Sequence, residues 1–190
     1  MTTQPEMTLY PCCEHCADDP TCPGRDQHLE PCPDLVIGSA AAQPRPEYVY
    51  VASSWRNMMQ PTVVREIEAV GISCYDFRNP APGETGFAWS EIDPDWMDWS
   101  ADQYVEALGN PIAEHGFRRD FDAMQRADTF VLVLPCGRSA HLELGWAVGA
   151  GKRTAILTRD GEEPELMAKM VDHIATSLDD LLVWLGGEGR

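Results

Sequence analysis

The chain has 190 residues, 44% of them hydrophobic, and can therefore bury the core of one domain of ordinary size with a small appendix. Its 31 acidic residues outnumber 14 basic residues and give a formal net charge of −17, which argues against polymeric nucleic acid or a membrane as a partner. The sequence contains neither an apolar run of membrane-spanning length nor a signal-peptide pattern, so we expect a cytoplasmic protein.

The amino-terminal segment, residues 1–46, is rich in proline and cysteine and lacks the hydrophobic period of a strand or a helix. It holds five of the seven cysteines, and in a reducing compartment such a cluster favours a metal ion over disulfides. We predict a structural zinc ion, because so short a segment could not fold by burying apolar surface alone. The predicted ligands are Cys13, Cys16, Cys22 and Cys32, with Cys12, His15 and His28 as alternatives. The other interpretation is a disordered tail with reactive thiols.

The second segment, residues 47–190, begins with the pattern of an α/β domain. The apolar run "YVYVASS" predicts a strand, residues 59–71 predict a helix with Pro61 near its start, and "ISCYDF" predicts a second strand. A proline- and tryptophan-rich stretch follows over residues 78–111. It is too long for a simple connection, so we expect it to shape a site.

The carboxyl-terminal half continues the alternation, with predicted helices over 111–127, about 139–150, 164–174 and 178–185, and predicted strands over 128–135 and 153–158. This order predicts an α/β fold with a doubly wound, flavodoxin-like parallel sheet and helices on both faces. Ligands of such a sheet bind at the carboxyl ends of its strands. We therefore expect three segments to meet there: Ser53–Arg56, Asp76–Asn79 and Pro135–Glu143.

Glu143 lies between Leu142 and Leu144 in the first or second turn of a predicted helix. Burying a charge among apolar neighbours is costly. The partial positive charge at the start of a helix, however, favours the ionised form of the Glu143 carboxyl group. Such an anion suits cleavage of a bond to an anomeric carbon, because the transition state develops positive charge. The alternative is a structural glutamate paired with an arginine.

The sequence "RRDFDAMQRADTFVLVLPCGRSAHLELGWAVGAGKR" resembles the core motif of the nucleoside 2-deoxyribosyltransferase family. "YVASSWR" is similar to the Y-x-x-x-S-x-R form of the family's 2′-deoxynucleoside 5′-monophosphate N-glycosidase branch. The resemblance extends over residues 48–158. The motif positions are Asp120, Ala127, Asp128, Glu143, Gly145, Ala147, Gly151 and Lys152.

The resemblance implies an enzyme that needs no cofactor for catalysis, acts on a small nucleoside or nucleotide and forms a homodimer. It implies that Glu143 acts at C1′, that Tyr50 orients it, and that Asp120 contacts or protonates the departing base. Because the loop before Glu143 lacks the second aspartate of the transferases, we expect hydrolysis rather than transfer. The substrate-binding candidates are Ser54, Arg56 and Ser139 for a 5′-phosphate, and Asn79 and Trp89 for the rest of the substrate.

Each candidate also has a simpler interpretation. Tyr50 and Trp89 could be core aromatics, and Asp120 could be a surface residue paired with Arg118 or Arg119. Ser139 could be a helix N-cap, and Arg56 a surface arginine. Two other functions stay open: an NAD-cleaving enzyme resembling Toll/interleukin-1 receptor domains, and a nucleotide-binding sensor without turnover.

Overall fold

The structure is a computed structural model that describes residues 45–187. The chain divides into two units, Met1–Ala41 and Ala42–Arg190, and the described residues belong to the second. The predicted zinc ligands between residues 12 and 32 lie outside the described residues, so the zinc site stays a prediction. The part of the chain that is described contains no helix long and apolar enough to cross a membrane.

The centre of the domain is a five-stranded sheet whose neighbouring strands are all parallel, in the order β2-β1-β3-β4-β5. This is the strand order of a flavodoxin-like, doubly wound sheet, so the predicted architecture is confirmed. The order reverses between β1 and β3, which creates a crevice at the carboxyl ends of these two strands. The strands are β1 (Tyr48–Ala52), β2 (Ser73–Asp76), β3 (Thr129–Val133), β4 (Arg153–Leu157) and β5 (His173–Ala175).

Within the described residues, five α-helices surround the sheet, and local signals explain where several of them begin. Pro61 stands in the first turn of the first helix, where its missing N–H costs nothing. The Asn110 side chain caps the third helix by accepting a hydrogen bond of 2.9 Å from the Ile112 amide. The helices are α1 (Gln60–Ala69), α2 (Ala101–Leu108), α3 (Pro111–Arg126), α4 (Arg138–Gly149) and α5 (Leu178–Leu185).

The predicted helix over residues 164–174 is wrong. This segment forms a short 3₁₀ turn, Leu166–Met170, followed by strand β5. Ile174 pairs with Ile156 of β4, and the Asp172 carboxylate accepts a hydrogen bond of 2.7 Å from the Thr154 amide. The free edge of β4 therefore draws the segment into the sheet, and this pairing outweighs its local helical pattern.

The two faces of the sheet bury separate hydrophobic clusters, as alternation along buried strands requires. On β1, Val49 and Val51 point to the face that α1 and α5 cover, whereas Tyr50 points to the face that α3 and α4 cover. Phe130 joins Tyr50 on this second face. The residues of α4 and the Tyr50 side chain therefore lie on the same side of the sheet.

Candidate functional site

The three segments predicted to meet at the carboxyl edge of the sheet do meet. The Ser53 hydroxyl donates a hydrogen bond of 2.8 Å to the Val133 carbonyl at the end of β3, and the Asn57 side-chain amide donates to the Pro135 carbonyl at 3.1 Å. Arg78, after β2, donates to the Ser54 carbonyl at 3.1 Å and to the Asn57 carbonyl at 2.9 Å. Arg78 thus holds the loop after β1 in place, a role for which the sequence offered no signal.

A cleft of about 630 Å³ lies beside α3 and α4, on the Tyr50 side of the sheet. Its wall combines these two helices with the long segment after β2, as predicted for that segment. Four of the sequence-predicted site residues line it: Trp89, Asp120, Ser139 and Glu143. The other lining residues are Phe87, Tyr104, Leu108, Ala113, Glu114, Gly116, Phe117, Phe121, Met124, Leu142 and Trp146.

Glu143 lies in the second turn of α4 and is partly buried. Burial, with the nearby negative charge of Asp120, raises the pKa of Glu143 to about 7, although a hydrogen bond with Tyr50 opposes the rise. Within residues 45–187, Glu143 forms no ion pair with an arginine. The carboxyl group can therefore change its charge near neutral pH.

Tyr50 is a core aromatic whose hydroxyl reaches the candidate site. Its ring is 1% exposed and stacks between Tyr75 and Phe130, with centroid distances of 5.1 Å and 5.0 Å. Burial, together with the charges of Glu143 and Asp120, raises the pKa of Tyr50 above its usual value. The hydroxyl consequently keeps its proton and acts as a hydrogen-bond donor to Glu143.

Asp120, on α3, is held by a tyrosine and an arginine. The Tyr75 hydroxyl donates a hydrogen bond to Asp120 Oδ1 at 2.5 Å, and Arg119 Nε lies 3.5 Å from the same oxygen. Burial raises the pKa of Asp120, while Tyr75 and Arg119 work in the opposite direction. The predicted pairing with Arg119 is therefore present, and Asp120 nevertheless lines the same cleft as Glu143.

Six of the fifteen residues that line the cleft are aromatic. Trp89 contacts Phe87 edge-to-face, with ring centroids 4.8 Å apart, and Phe121 contacts Trp146 in the same way at 5.4 Å. Phe87 packs directly on Gly116 of α3, where a Cβ atom would lie only 2.8 Å from the Phe87 Cβ. The missing side chain of this glycine allows the long segment to approach α3 and close that side of the cleft.

The remaining sequence candidates fall into two groups. Ser139 lies inside α4 and lines the cleft, whereas Gly137 is the N-cap, so the N-cap interpretation of Ser139 is wrong. Ser54, Arg56 and Asn79 are absent from the cleft wall. Arg56 is exposed and only its backbone amide contacts Ser54 Oγ, at 3.2 Å, while the Asn79 amide donates to Asp76 at 2.8 Å.

Sequence reasoning missed Tyr75, Phe121 and Trp146. Tyr75 pairs in register with Tyr50, so strand register would have placed both on one face. Trp146 follows Glu143 by three residues in a helix, which places the two on the same side. Asp128, a motif position directly before β3, accepts hydrogen bonds from the backbone amides of Glu47 and Tyr48 at 2.8 Å and 3.2 Å.

No group of three or more histidine, cysteine, aspartate or glutamate side chains within residues 45–187 is arranged to hold a metal ion. The two cysteines of this range, Cys74 and Cys136, are free. Cys136 Sγ lies 3.3 Å from His141 Nδ1 at the start of α4, and burial raises the pKa of its thiol to about 11.

No protein-family model matches the sequence, and no curated protein matches it. Solved structures similar to the chain include a 2-deoxyribosyltransferase from Bacillus psychrosaccharolyticus, at 17% identity and a TM-score of 0.48 over 71% of this chain and 90% of that one. The CMP N-glycosidase BcmB of Clostridium botulinum is 16% identical, with a TM-score of 0.40 over 71% and 95% of the two chains. A conserved protein from Enterococcus faecalis V583 is 15% identical, with a TM-score of 0.48 over 75% and 98%. Similarity at this level supports no inference about activity. The functional proposal is based on the residues of this chain alone.

Proposed function

We propose that this protein is an N-glycosidase that hydrolyses the base–sugar bond of a nucleoside or a nucleoside 5′-monophosphate, with Glu143 acting at C1′. One observation carries the proposal: a partly buried carboxyl group with a pKa of about 7 shares an aromatic cleft with a second carboxyl group, Asp120. Pairs of carboxyl groups in different environments are the usual machinery of glycoside hydrolysis.

Glu143 acts in its ionised form. As the bond between C1′ and the base nitrogen lengthens, positive charge develops on the sugar, and a carboxylate beside it stabilises that charge. The carboxylate either attacks C1′ directly or takes a proton from the attacking water. The Tyr50 hydroxyl supports the ionised form by donating a hydrogen bond to it, and the buried position of Tyr50 fixes the direction of that bond.

Asp120 acts at the base. A neutral base leaves more easily when it accepts a proton, so an acid beside it lowers the barrier. Burial raises the pKa of Asp120, and Tyr75 and Arg119 fix its position. The aromatic wall contributes contacts to the base.

We also propose the more specific features that the motif resemblance implies. Ser54 and Arg56 would hold the 5′-phosphate of a monophosphate at the sheet edge next to the cleft, with Asn79 and the start of α4 nearby. Hydrolysis is favoured over transfer of the sugar between bases because the loop before Glu143 lacks a second aspartate. A structural zinc ion bound by the amino-terminal cysteines, a homodimer and a cytoplasmic location complete the proposal.

The test is an assay for free base. The full chain is incubated separately with nucleosides, nucleoside 5′-monophosphates and NAD, and the products are separated by chromatography. Release of base from a nucleoside or monophosphate is the expected result. Release of nicotinamide from NAD alone would point instead to an NAD-cleaving enzyme. Binding of a nucleotide without release of base or nicotinamide would favour a nucleotide-binding sensor without turnover.

A further inference from the structure

The polar side chains that line the cleft carry negative charge or none. The charged ones are the carboxylates of Glu114, Asp120 and Glu143, and no lysine, arginine or histidine of the described chain lines the cleft. The uncharged polar groups belong to Ser139, Tyr104, Trp89 and Trp146. Two arginines of α3 form ion pairs with acidic residues: Arg118 lies 2.7 Å from Glu114, and Arg119 lies 3.5 Å from Asp120 and 3.6 Å from Glu84. An anionic group inside the cleft would therefore face carboxylates.

The rest of the wall favours a flat ring, and especially a positively charged one. Six aromatic side chains line the cleft, including Trp89, Trp146 and the stacked pair Phe117 and Phe121, whose ring centroids are 5.4 Å apart. The face of an aromatic ring attracts a cation, and the attraction grows when water is excluded. A neutral base would gain only stacking and burial, whereas a cationic base would also be attracted by the rings and the carboxylates.

We propose that the preferred substrates of this cleft are nucleosides whose base is cationic, such as pyridinium ribosides and ring-alkylated purine nucleosides. This inference rests on the proposed N-glycosidase function and narrows its substrate class. A 5′-phosphate, where present, must lie outside the aromatic part of the cleft.

The chemistry of such a substrate fits the site. The bond between C1′ and the cationic ring nitrogen breaks, its electron pair goes to the nitrogen, and the base leaves as a neutral molecule without needing a proton. Water adds to C1′ and loses its proton to Glu143, which passes it to solvent. The positive charge moves from the ring to C1′ and so stays within the same acidic cleft, beside Glu143, until water adds.

The first arm of the test measures binding with a matched pair that cannot be cleaved: the 1-methylnicotinamide cation and neutral nicotinamide. Quenching of tryptophan fluorescence reports binding to the wild-type chain at pH 8. We expect the cation to bind about tenfold more tightly or better, and its affinity to fall with added salt. Glu114→Gln should weaken binding of the cation several-fold and leave the affinity for nicotinamide unchanged. Glu106→Gln, at an exposed position of α2 outside the cleft wall, should change neither affinity.

The second arm measures turnover of 7-methylguanosine against guanosine, with the rate of each in buffer subtracted. A higher kcat/KM for 7-methylguanosine, together with a lower KM, is the expected result. Equal binding of the cation and nicotinamide, or release of base from guanosine but not from 7-methylguanosine, would overturn the inference and leave the N-glycosidase proposal intact. Release of base from neither of these nucleosides, nor from any nucleoside or monophosphate in the assay for free base, would overturn both proposals.

Discussion

Tyr50 and Tyr75 stand side by side on neighbouring strands, with ring centroids 5.1 Å apart, and their hydroxyls hold two different carboxyl groups. Tyr50 interacts with Glu143 of α4, and Tyr75 donates to Asp120 of α3. Both rings are almost completely buried, so their positions are set by the sheet rather than by the helices. The strand pair therefore places one tyrosine hydroxyl toward each of two carboxyl groups of the cleft, Glu143 and Asp120.

Glu143→Gln should fold like the wild-type chain and lose base release by about a thousandfold or more, because glutamine keeps the shape of the side chain but lacks the charge that stabilises the developing cation. Release of base is measured by chromatography, and circular dichroism checks the fold. Glu68→Gln, at an exposed position of α1 on the other face of the sheet, is the matched control and should keep full activity. A folded Glu143→Gln variant with near-normal activity would exclude Glu143 from the chemistry.

The rate should rise with pH through about 7, because burial and Asp120 raise the pKa of Glu143 to about 7 and only the ionised form is active. In Tyr50→Phe the hydrogen bond that lowers this pKa is absent, so the acid limb of the kcat/KM profile should move to higher pH. Tyr48→Phe, on the same strand but in contact with Arg126, is the control and should leave the limb in place. An acid limb of the kcat/KM profile that stays in place in Tyr50→Phe would contradict the contact between Tyr50 and Glu143.

The stability of the fold should also depend on the charge of Glu143. Its folded pKa of about 7 lies above its ordinary value of 4.5, so the folded state favours the protonated form and loses stability as pH rises through this window. Glu143→Gln should therefore be more stable than wild type at pH 8, by about 2 kcal/mol, and no more stable at pH 4. Urea unfolding at both pH values measures the difference. An equal gain at pH 8 in Glu68→Gln would attribute the effect to the net charge of the chain instead.

Arg56→Ala should raise the KM for a nucleoside 5′-monophosphate by about tenfold or more and leave the matching nucleoside unaffected, since a charge-assisted hydrogen bond to phosphate is among the stronger polar contacts. Steady-state kinetics with both substrates test this. Arg65→Ala, an exposed arginine of α1 that pairs with Glu66, serves as the control. An equal loss for both substrates would separate Arg56 from the phosphate.

The purified full chain should contain about one zinc ion per molecule, bound by the amino-terminal cysteines. Elemental analysis of protein prepared under reducing conditions without chelator measures the content. A Cys13→Ser, Cys16→Ser double variant should lose the metal, whereas Cys74→Ser, in β2, should retain it. Chelation should leave base release largely intact, because every proposed catalytic residue lies in the α/β domain. Metal-free wild-type protein would refute this site.

Much of the fold follows from local pattern. Strand β3 has the clearest sequence signal, an unbroken apolar run. The helix after it could be recognised because a segment with helical period follows this run directly. The parallel order then places Glu143 at the carboxyl edge of the sheet, since helices after parallel strands begin there. Glu143 could therefore be placed from its position in the sequence, whereas Asp120, in the helix before β3, was identified only by the motif resemblance.

Other features depend on contacts between distant parts of the chain. Residues 173–175 have no strong strand signal, and they form β5 because the edge of β4 offers unpaired backbone groups. Tyr75 becomes part of the site only through its register with Tyr50 and its reach to Asp120. Sequence alone thus determined the parallel sheet and the place of Glu143 at its carboxyl edge, because both follow from the local hydrophobic period. The tertiary structure decided the charge and shape of the cleft, because burial and packing bring together groups that lie far apart in the chain.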